Sequence, residues 1–283
     1  MPRPPLPNGY KRALGPLVCV LLLAAPPVLG PADAQSGRTI VDGTAVQGGL
    51  VTGRTQPGAR LRLGDRAVPV GRTGRFAFGF GRDAGPAARL HVAYADGASE
   101  TIGLAVGQRQ YDEQRIDGVA PRFVDPPAGV APRIAEDRRR VGQARAGFRD
   151  VVHFLQTFKR PAPGPVTGVY GSRRIFNGQP RRPHSGLDIG APEGTPVLAP
   201  AAGRVTLVRD LYFSGNTVIL DHGHGVFSTF LHMSAVEVEE GAEVAQGAPI
   251  GRVGATGRVT GPHLHWALNW YGVRLDPALL LER

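Results

Sequence analysis

Cysteine is almost absent from the chain, which has a single one, Cys19, among 283 residues. Cys19 lies in the middle of an apolar run near the amino terminus, a poor position for a lipid anchor, which would sit at the end of such a run. If that run is removed, the remaining chain has no cysteine and can form no disulfide in any compartment. Export therefore has to be inferred from the amino-terminal segment.

Long hydrophobic runs are also lacking, apart from residues 13–29, which are interrupted by three prolines. This run is shorter than the roughly 20 residues that a membrane span needs. Lys11 and Arg12 precede it and Ala32-Asp33-Ala34 follows it, a pattern typical of a secretory signal peptide. We predict a signal peptide over residues 1–34, a periplasmic or secreted protein, and no stable membrane insertion after signal removal. An uncleaved membrane anchor is the alternative.

Acidic residues are in the minority, with 23 Asp and Glu against 33 Lys and Arg and a formal charge of +10. Removing residues 1–34 takes away three bases (Arg3, Lys11, Arg12) and one acid (Asp33), which leaves +8. A basic exported protein is attracted to polyanions such as nucleic acid, anionic lipid or a carboxylate-bearing cell wall. No basic helix interleaved with aromatic residues occurs, so a nucleic-acid partner is not predicted.

The 40 glycines and 26 prolines favour short strands and frequent turns, so the fold class is predicted to be mainly β. Short apolar runs separated by turn dipeptides such as Pro57-Gly58 and Asp96-Gly97 predict an immunoglobulin-like β-sandwich over residues 35–119, in which His91 is an ordinary strand residue. A proline-rich linker and helix follow over residues 120–161. Residues 162–283 form the last predicted domain and carry the chemistry.

Apolar residues recur every seven positions at Ile134, Val141, Phe148 and Leu155, which predicts one or two helices between residues 132 and 159. Gly142 and Gly147 interrupt the pattern, since a glycine inside a helix costs about 1 kcal/mol relative to alanine. We expect the helix to separate the two domains or to lie across the second.

Six of the eight histidines fall between residues 184 and 265. His184 and Asp188 flank a glycine that lets the loop bend, so an imidazole and a carboxylate can reach one ion. His263 and His265 alternate on a predicted strand, where side chains at i and i+2 share a face. Together these residues supply three ligands to a zinc ion and leave one imidazole free, which is the inventory of a catalytic metal site.

Two other positions compete for a role in this site. His222 and His224 have the same spacing as His263 and His265, but they lie among glycines and an aspartate that predict a hairpin turn at the surface. His232 ends an apolar strand, and the residues around it fit a buried structural imidazole and a catalytic one equally well.

The motifs, read in order, resemble the lysostaphin-type zinc metalloendopeptidases, also called LytM domains. The resemblance covers residues 165–280 and rests on four stretches: His184-Ser-Gly-Leu-Asp188 with the following Ala191-Pro-Glu-Gly-Thr-Pro196, Thr229-Phe-Leu-His232, Val244-Ala-Gln-Gly-Ala-Pro-Ile-Gly251 and Gly254-Ala-Thr-Gly-Arg-Val-Thr-Gly-Pro-His263-Leu-His265. It implies a compact antiparallel β domain with a groove.

The resemblance also implies roles for single residues: His184, Asp188 and His265 as ligands of Zn²⁺, and His232 and His263 as the catalytic imidazoles. The chain lacks the helical HExxH motif, so no glutamate is placed to act as general base, and an imidazole is the available substitute. Members of the family cut the peptide cross-links of bacterial peptidoglycan. The alternative is a non-catalytic LytM module that docks on peptidoglycan or activates a partner wall hydrolase.

Overall fold

The computed structural model describes residues 38–281, in which strands dominate and the longest helix has 14 residues. The prediction of a mainly β fold is confirmed. In the described part of the chain, no helix has both the length and the apolar character needed to cross a bilayer. The predicted signal peptide and Cys19 lie outside the described residues.

The amino-terminal region consists of two antiparallel sheets. One has the strand order β1-β2-β5 and the other the order β4-β3-β6-β7. The strands are β1 (Ile40–Asp42), β2 (Leu50–Arg54), β3 (Arg60–Leu63), β4 (Arg66–Val68), β5 (Arg75–Gly79), β6 (Ala87–Ala93) and β7 (Ser99–Ala105).

Both turn dipeptides of the amino-terminal region separate strands as predicted. Gly58 and Gly97 have φ angles of 81° and 87°, a conformation that glycine adopts without steric cost. Side chains from the two sheets, including Phe76, Phe78 and Leu90, are fully buried in one hydrophobic core. His91 is an exposed residue of β6, hydrogen-bonded to Thr101, as an ordinary strand residue would be. An immunoglobulin-like topology stays a prediction.

The connecting region contains a short strand and two helices. Strand β8 (Glu113–Ile116) is followed by α1 (Pro121–Val124), a 3₁₀ turn (Ala128–Val130) and α2 (Ala131–Ala144). Another 3₁₀ turn spans His153–Leu155. The predicted helix is confirmed for α2, and the periodic residues beyond it, Phe148 and Leu155, are not part of an α-helix.

Helix α2 lies across the carboxy-terminal region, one of the two positions that we expected. Its residues Val141 and Ala144 pack against buried side chains of the main sheet, namely Leu207, Leu211, Ile219 and Phe227. Proline at the first turn of α2 suits the start of a helix, because its missing amide hydrogen is not needed there.

The carboxy-terminal region is built around an antiparallel sheet with the strand order β18-β14-β15-β16-β20-β12-β9, to which β21 adds beside β20. Two three-stranded sheets, β11-β10-β8 and β13-β19-β17, flank it. The strands are β9 (Val166–Gly168), β10 (Arg173–Phe176), β11 (Gln179–Arg181), β12 (Leu187–Gly190), β13 (Pro196–Leu198), β14 (Gly203–Leu211), β15 (Gly215–Asp221), β16 (Val226–Met233), β17 (Ala235–Val236), β18 (Glu243–Val244), β19 (Pro249–Arg252), β20 (His263–Trp270) and β21 (Val273–Leu275), followed by a 3₁₀ turn (Pro277–Leu280).

The central strands β12 and β20 separate the core from the face that bears the histidines. Ile189 on β12 and Leu264 on β20 are fully buried in the hydrophobic core, as are Trp266 and Leu268. Because side chains alternate along a strand, Asp188 and His265 lie on the opposite face from Ile189 and Leu264. The expectation that Leu264 points into the core is confirmed.

Candidate metal centre

The register of the central sheet places Asp188 and His265 opposite each other. They are paired residues on the antiparallel strands β12 and β20. His265 Nδ1 lies 2.6 Å from Asp188 Oδ1. Their side chains therefore meet on one face of a rigid sheet, which holds two groups 77 residues apart in the chain at hydrogen-bond distance.

His184 reaches the same point from the loop that connects β11 to β12. Its backbone is fixed on both sides, because the His184 amide donates to the Ser172 carbonyl and its own carbonyl accepts from Gly171. His184 Nε2 lies 3.0 Å from Asp188 Oδ1 and 3.0 Å from His265 Nδ1. The structure thus brings together the three residues that the sequence suggested as ligands, and all three are buried.

The surroundings of Asp188 and His265 determine the charge of each side chain at neutral pH. Burial by itself would raise the pKa of Asp188, but its close contacts with the His184 and His265 rings hold that pKa well below its usual range. Burial lowers the pKa of His265 to about 4. At neutral pH the centre therefore holds an ionised carboxylate and a neutral His265 imidazole, the forms that bind a divalent cation.

The arrangement of donors and acceptors fits a cation. The outer nitrogen of His184, Nδ1, donates to the Val169 carbonyl at 2.9 Å, which leaves the lone pair of Nε2 pointing at Asp188. Two acceptors then face each other at 3.0 Å, a repulsive contact unless a proton or a metal cation lies between them. Two imidazole nitrogens and one carboxylate oxygen form a donor set of the kind found at catalytic zinc sites, so these residues fit a zinc ion.

Arg174 is a functional candidate that the sequence analysis missed. Its Nη2 donates to Asp188 Oδ2 at 2.6 Å, so the carboxylate is held at both oxygens: by Arg174 on one side and by the histidines on the other. A single arginine in a strand gives no sequence signal of such a role. The pairing with Asp188 follows only from the position of β10 beside the loop that carries His184.

Two glycines allow the side chains of the centre to pack against backbone. A Cβ atom on Gly186 would lie 2.5 Å from the Trp266 carbonyl oxygen and 2.8 Å from His265 Nε2. A Cβ atom on Gly168 would lie 2.4 Å from Asp188 Oδ2. Gly186 does not have a positive φ. It therefore acts through its missing side chain, whereas the sequence suggested a bend in the loop.

His232 and His263 lie beside the three clustered residues. Their ring centroids are 5.0 Å apart, and His263 Nε2 is 3.9 Å from Asp188 Oδ1. His232 Nδ1 donates to the Thr256 carbonyl at 2.8 Å and His263 Nδ1 donates to the Gly261 carbonyl at 2.9 Å. In both rings Nε2 is then the nitrogen with a free lone pair. His232 thus lies where a catalytic imidazole would lie, and the catalytic role of His232 and His263 stays a prediction.

A β-bulge directs His232 towards this face. The register between β15 and β16 shifts between Asn216 and Val218, and His232 has a φ of 68°. A positive φ is unfavourable for a residue with a Cβ atom, and such strain concentrates at functional positions. Burial, followed by the charges of His265 and His263, lowers the pKa of His232 to about 3, so the ring is neutral at neutral pH.

The rival pair at His222 and His224 does form a hairpin turn, between β15 and β16, but the prediction that this turn is at the surface is wrong. His222 is 0% exposed and His224 is 1% exposed. Residues after α2 cover the turn: the Arg149 carbonyl accepts from His224, and the rings of Phe148 and Phe154 flank the His224 ring at 5.1 and 4.9 Å. A contact between segments 70 residues apart leaves no local sequence pattern.

His222 belongs to a structural hydrogen-bond chain. Its Nδ1 donates to the Ala202 carbonyl at 2.7 Å and its Nε2 accepts from Ser228 Oγ at 2.8 Å, while Trp266 Nε1 donates to Ser228 Oγ at 3.2 Å. With both ring nitrogens occupied, this imidazole has no free lone pair for a metal.

A cavity of about 920 Å³ opens beside the centre. His232 and His265 line it from the sheet and His184 from the adjoining loop. Residues of α1 and α2, among them Phe123 and Val141, also line it. The cavity is large enough for a segment of peptide. Its wall is rich in arginine, with seven such residues against one acidic residue, Asp137.

The part of the chain that carries the centre matches a known protein family. The model of peptidase family M23 matches residues 182–277. A crystal structure assigned to peptidase M23 from Pseudomonas aeruginosa is 30% identical in sequence, with a TM-score of 0.65. The match covers 84% of this chain and 96% of the other, so the similarity extends to the amino-terminal sheets.

Curated relatives match over a shorter stretch. Peptidoglycan DD-endopeptidase ShyA of Vibrio cholerae is 44% identical over 86 residues, which are 30% of this chain and 20% of that protein. DD-carboxypeptidase/endopeptidase Mpg of Neisseria meningitidis is 44% identical over 96 residues, which are 34% of this chain and 22% of that protein. The chain thus spans about a fifth of the length of these relatives. The family match agrees with the resemblance seen in the sequence, and so does the similarity to the Pseudomonas structure, which covers 96% of that structure. The chain belongs to peptidase family M23.

Proposed function

We propose that this protein is an exported zinc metalloendopeptidase that hydrolyses peptide cross-links of bacterial peptidoglycan. The convergence of His184, Asp188 and His265 within 4.8 Å, on the wall of a peptide-sized cavity, is the observation that carries the proposal. The names of two relatives, a peptidoglycan DD-endopeptidase and a DD-carboxypeptidase/endopeptidase, support the substrate class.

Export is part of the proposal. A signal peptide over residues 1–34 would deliver the chain to the periplasm or the cell exterior, where the substrate is. The remaining positive charge would attract the chain to a carboxylate-bearing wall. The proposed division of the mature chain is an accessory β-sandwich over residues 35–119, a connector over 120–161 and the peptidase domain over 162–283.

In the proposed mechanism, His184, Asp188 and His265 hold the metal through one imidazole nitrogen each and one carboxylate oxygen. Zinc bound by these three residues would supply Lewis acidity, which activates water for attack and polarises the carbonyl of a peptide bond. Arg174 holds the second oxygen of Asp188, and the Val169 carbonyl holds the outer nitrogen of His184, so the ligands are oriented before the metal arrives.

His232 and His263 carry the proton transfers. Each ring has its Nδ1 hydrogen committed to a backbone carbonyl, so each can accept a proton at Nε2 and return it to the leaving amine. A proton on His232 is unfavourable in the resting site, because burial lowers its pKa to about 3. Negative charge that develops next to His232, such as the oxyanion formed on the substrate, would stabilise its protonated form.

The experiment that tests the function is hydrolysis of purified cross-linked muropeptides by the zinc-loaded chain. We expect release of un-cross-linked peptides by the parent chain and loss of at least a hundredfold in rate for His263→Ala and His232→Ala, since acid–base residues contribute on that order. A chain that binds zinc and peptidoglycan but cleaves no cross-link would instead be a non-catalytic LytM module.

A further inference from the structure

Three arginines cluster on the cavity wall next to the metal centre. Arg174 is on β10, Arg181 is on β11, and Arg258 is in the loop that leads to β20. The guanidinium carbon of Arg258 lies 5.1 Å from the centre of the Phe176 ring, and that of Arg174 lies 5.8 Å from the same ring. We refer to Arg174, Arg181 and Arg258 as the arginine cluster.

The positive charge of the arginine cluster is poorly compensated. Arg174 makes its ion pair with Asp188, the carboxylate that faces the metal centre. Within residues 38–281, Arg181 and Arg258 make no ion pair with a carboxylate. Their side-chain hydrogen bonds go to neutral acceptors. Arg181 Nη2 donates to the Val124 carbonyl at 2.7 Å and to Gln179 Oε1, and Arg258 Nη1 lies 3.5 Å from the Phe123 carbonyl.

Several donors in the arginine cluster have no acceptor. The Nε atoms of Arg174 and Arg181 are buried and form no hydrogen bond. Burial, followed by the charges of Arg174 and Arg181, lowers the pKa of Arg258 to about 10, which still leaves it positively charged at neutral pH. Buried donors without an acceptor and closely spaced positive charges destabilise a protein unless an anion binds to them.

The described residues of the cavity wall offer little negative charge to complete the cluster. Among them Asp137 is the one acidic side chain, and its Oδ2 already accepts from the Tyr212 amide at 2.8 Å. A fourth arginine, Arg145, is only 9% exposed on the same wall and has an unpartnered Nε. A molecule that enters the cavity can supply the missing anion.

We infer that the arginine cluster binds a free carboxylate of the peptide substrate and holds it beside the scissile bond. This inference rests on the proposed peptidase function and adds a substrate preference to it. Guanidinium groups recognise carboxylates by paired hydrogen bonds, and the contact between Arg174 and Asp188 keeps the site adjacent to the metal. The preferred substrate is then a stem peptide with free carboxylates, and neutral peptides such as a glycine bridge or an amidated stem bind more weakly.

Equilibrium binding of two synthetic stem peptides to the full zinc-loaded chain tests the inference. Both peptides lack a cross-link, so that the endopeptidase does not cleave them; one has free carboxylates and the other has carboxamides at the same positions. We expect the carboxylate peptide to bind at least tenfold more tightly at low salt, with the ratio falling as salt increases. Equal affinities of the two peptides would overturn the inference.

Two substitutions, Arg258→Gln and Arg181→Gln, test whether the arginine cluster causes the preference for the carboxylate peptide. We expect each substitution to reduce the ratio of the two affinities at least threefold while zinc content stays at the level of the parent chain. The matched control is Arg139→Gln on α2, an exposed arginine whose guanidinium binds Glu136. If both cluster variants keep the full preference, or Arg139→Gln loses it, the arginine cluster is not the site.

The outcomes also separate this inference from the proposed function. Cleavage of cross-linked muropeptides together with equal affinities for the two peptides overturns the carboxylate site and leaves the peptidase intact. A clear carboxylate preference without any cleavage supports the site and contradicts the peptidase. The thermal melt of each variant shows whether it folds. If one variant does not fold, the other variant and the two peptide affinities of the parent chain still test the carboxylate site.

Discussion

Asp188 and His265 are cross-strand partners, with Asp188 Oδ1 2.6 Å from His265 Nδ1 on the face of the sheet opposite the hydrophobic core. Two of the three proposed metal ligands are thus fixed by the register of β12 and β20. A slip of one residue in either strand would turn the ligand on that strand into the core. The site is therefore as rigid as the sheet, and only His184 depends on a loop.

Gly186→Ala should weaken metal binding without unfolding the protein. The added methyl group would lie 2.5 Å from the Trp266 carbonyl and 2.8 Å from His265 Nε2, so the His265 ring has to shift. We expect zinc affinity to fall roughly tenfold or more, as measured by competition with a chelator, because misplaced ligands cost this much.

The control for Gly186→Ala is Gly103→Ala, where an added methyl group meets no atom within 4 Å. This variant should bind zinc like the parent chain. Parent-like affinity in Gly186→Ala would show that the close packing of this glycine against His265 has no role in the centre.

His232→Gly should be more stable than His232→Ala, the reverse of the usual order. Glycine normally costs stability relative to alanine in a strand, but His232 has a φ of 68°, where only glycine avoids steric strain. The difference in unfolding free energy, measured by urea denaturation of the metal-free chains, should be about 1 kcal/mol in favour of glycine. Both variants should be inactive on cross-linked peptides.

A lower stability of His232→Gly than of His232→Ala would mean that the bulge relaxes when the imidazole is removed. The strained backbone would then be imposed by the side chain, and the bulge would not be the feature that aims His232 at the metal centre.

Acid should destabilise the fold through His222. Burial lowers the pKa of His222 to about 4 in the folded chain, against about 6.5 in an unfolded one. The unfolded chain therefore takes up the proton at a higher pH than the folded chain, so stability falls as the pH decreases from 6.5 towards 4. Above pH 6.5 His222 causes no loss of stability. The full loss in unfolding free energy that His222 causes, reached below pH 4, is roughly 3 kcal/mol.

His222→Gln provides the comparison, because glutamine does not titrate. It should lower stability at pH 7, since it weakens the hydrogen bonds to Ala202 and Ser228, but its unfolding free energy should fall less steeply between pH 6.5 and 5 than that of the parent chain. Parallel slopes in urea titrations of the two metal-free proteins would contradict a neutral buried His222.

The sequence predicted those features that depend on local pattern. Alternation on β20 placed His263 and His265 on one face and Leu264 in the core, and the seven-residue recurrence located α2. The order of the motifs along the chain added His184 and Asp188 to the predicted metal site. Each of these signals lies within a few residues of chain, which is the range over which backbone geometry determines side-chain direction.

Features that depend on contacts between distant segments could not be predicted. The cover over His224 is made by residues 148–154, and the second oxygen of Asp188 is held by an arginine from another strand. The charge of the cavity wall also combines arginines from α2, β10, β11, β21 and three connecting segments. A single sequence gives no signal for such pairings, because they depend on how the sheets and the connecting region pack.

Zinc content tests the central claim most directly. The chain is purified in zinc-containing buffer, dialysed, and analysed by atomic emission beside Asp188→Asn, which keeps the shape of the side chain and removes its charge. We predict about one zinc per parent chain and at least tenfold weaker binding in the variant. A parent chain without zinc, or an Asp188→Asn chain that binds zinc as the parent does, would contradict the proposed metal centre.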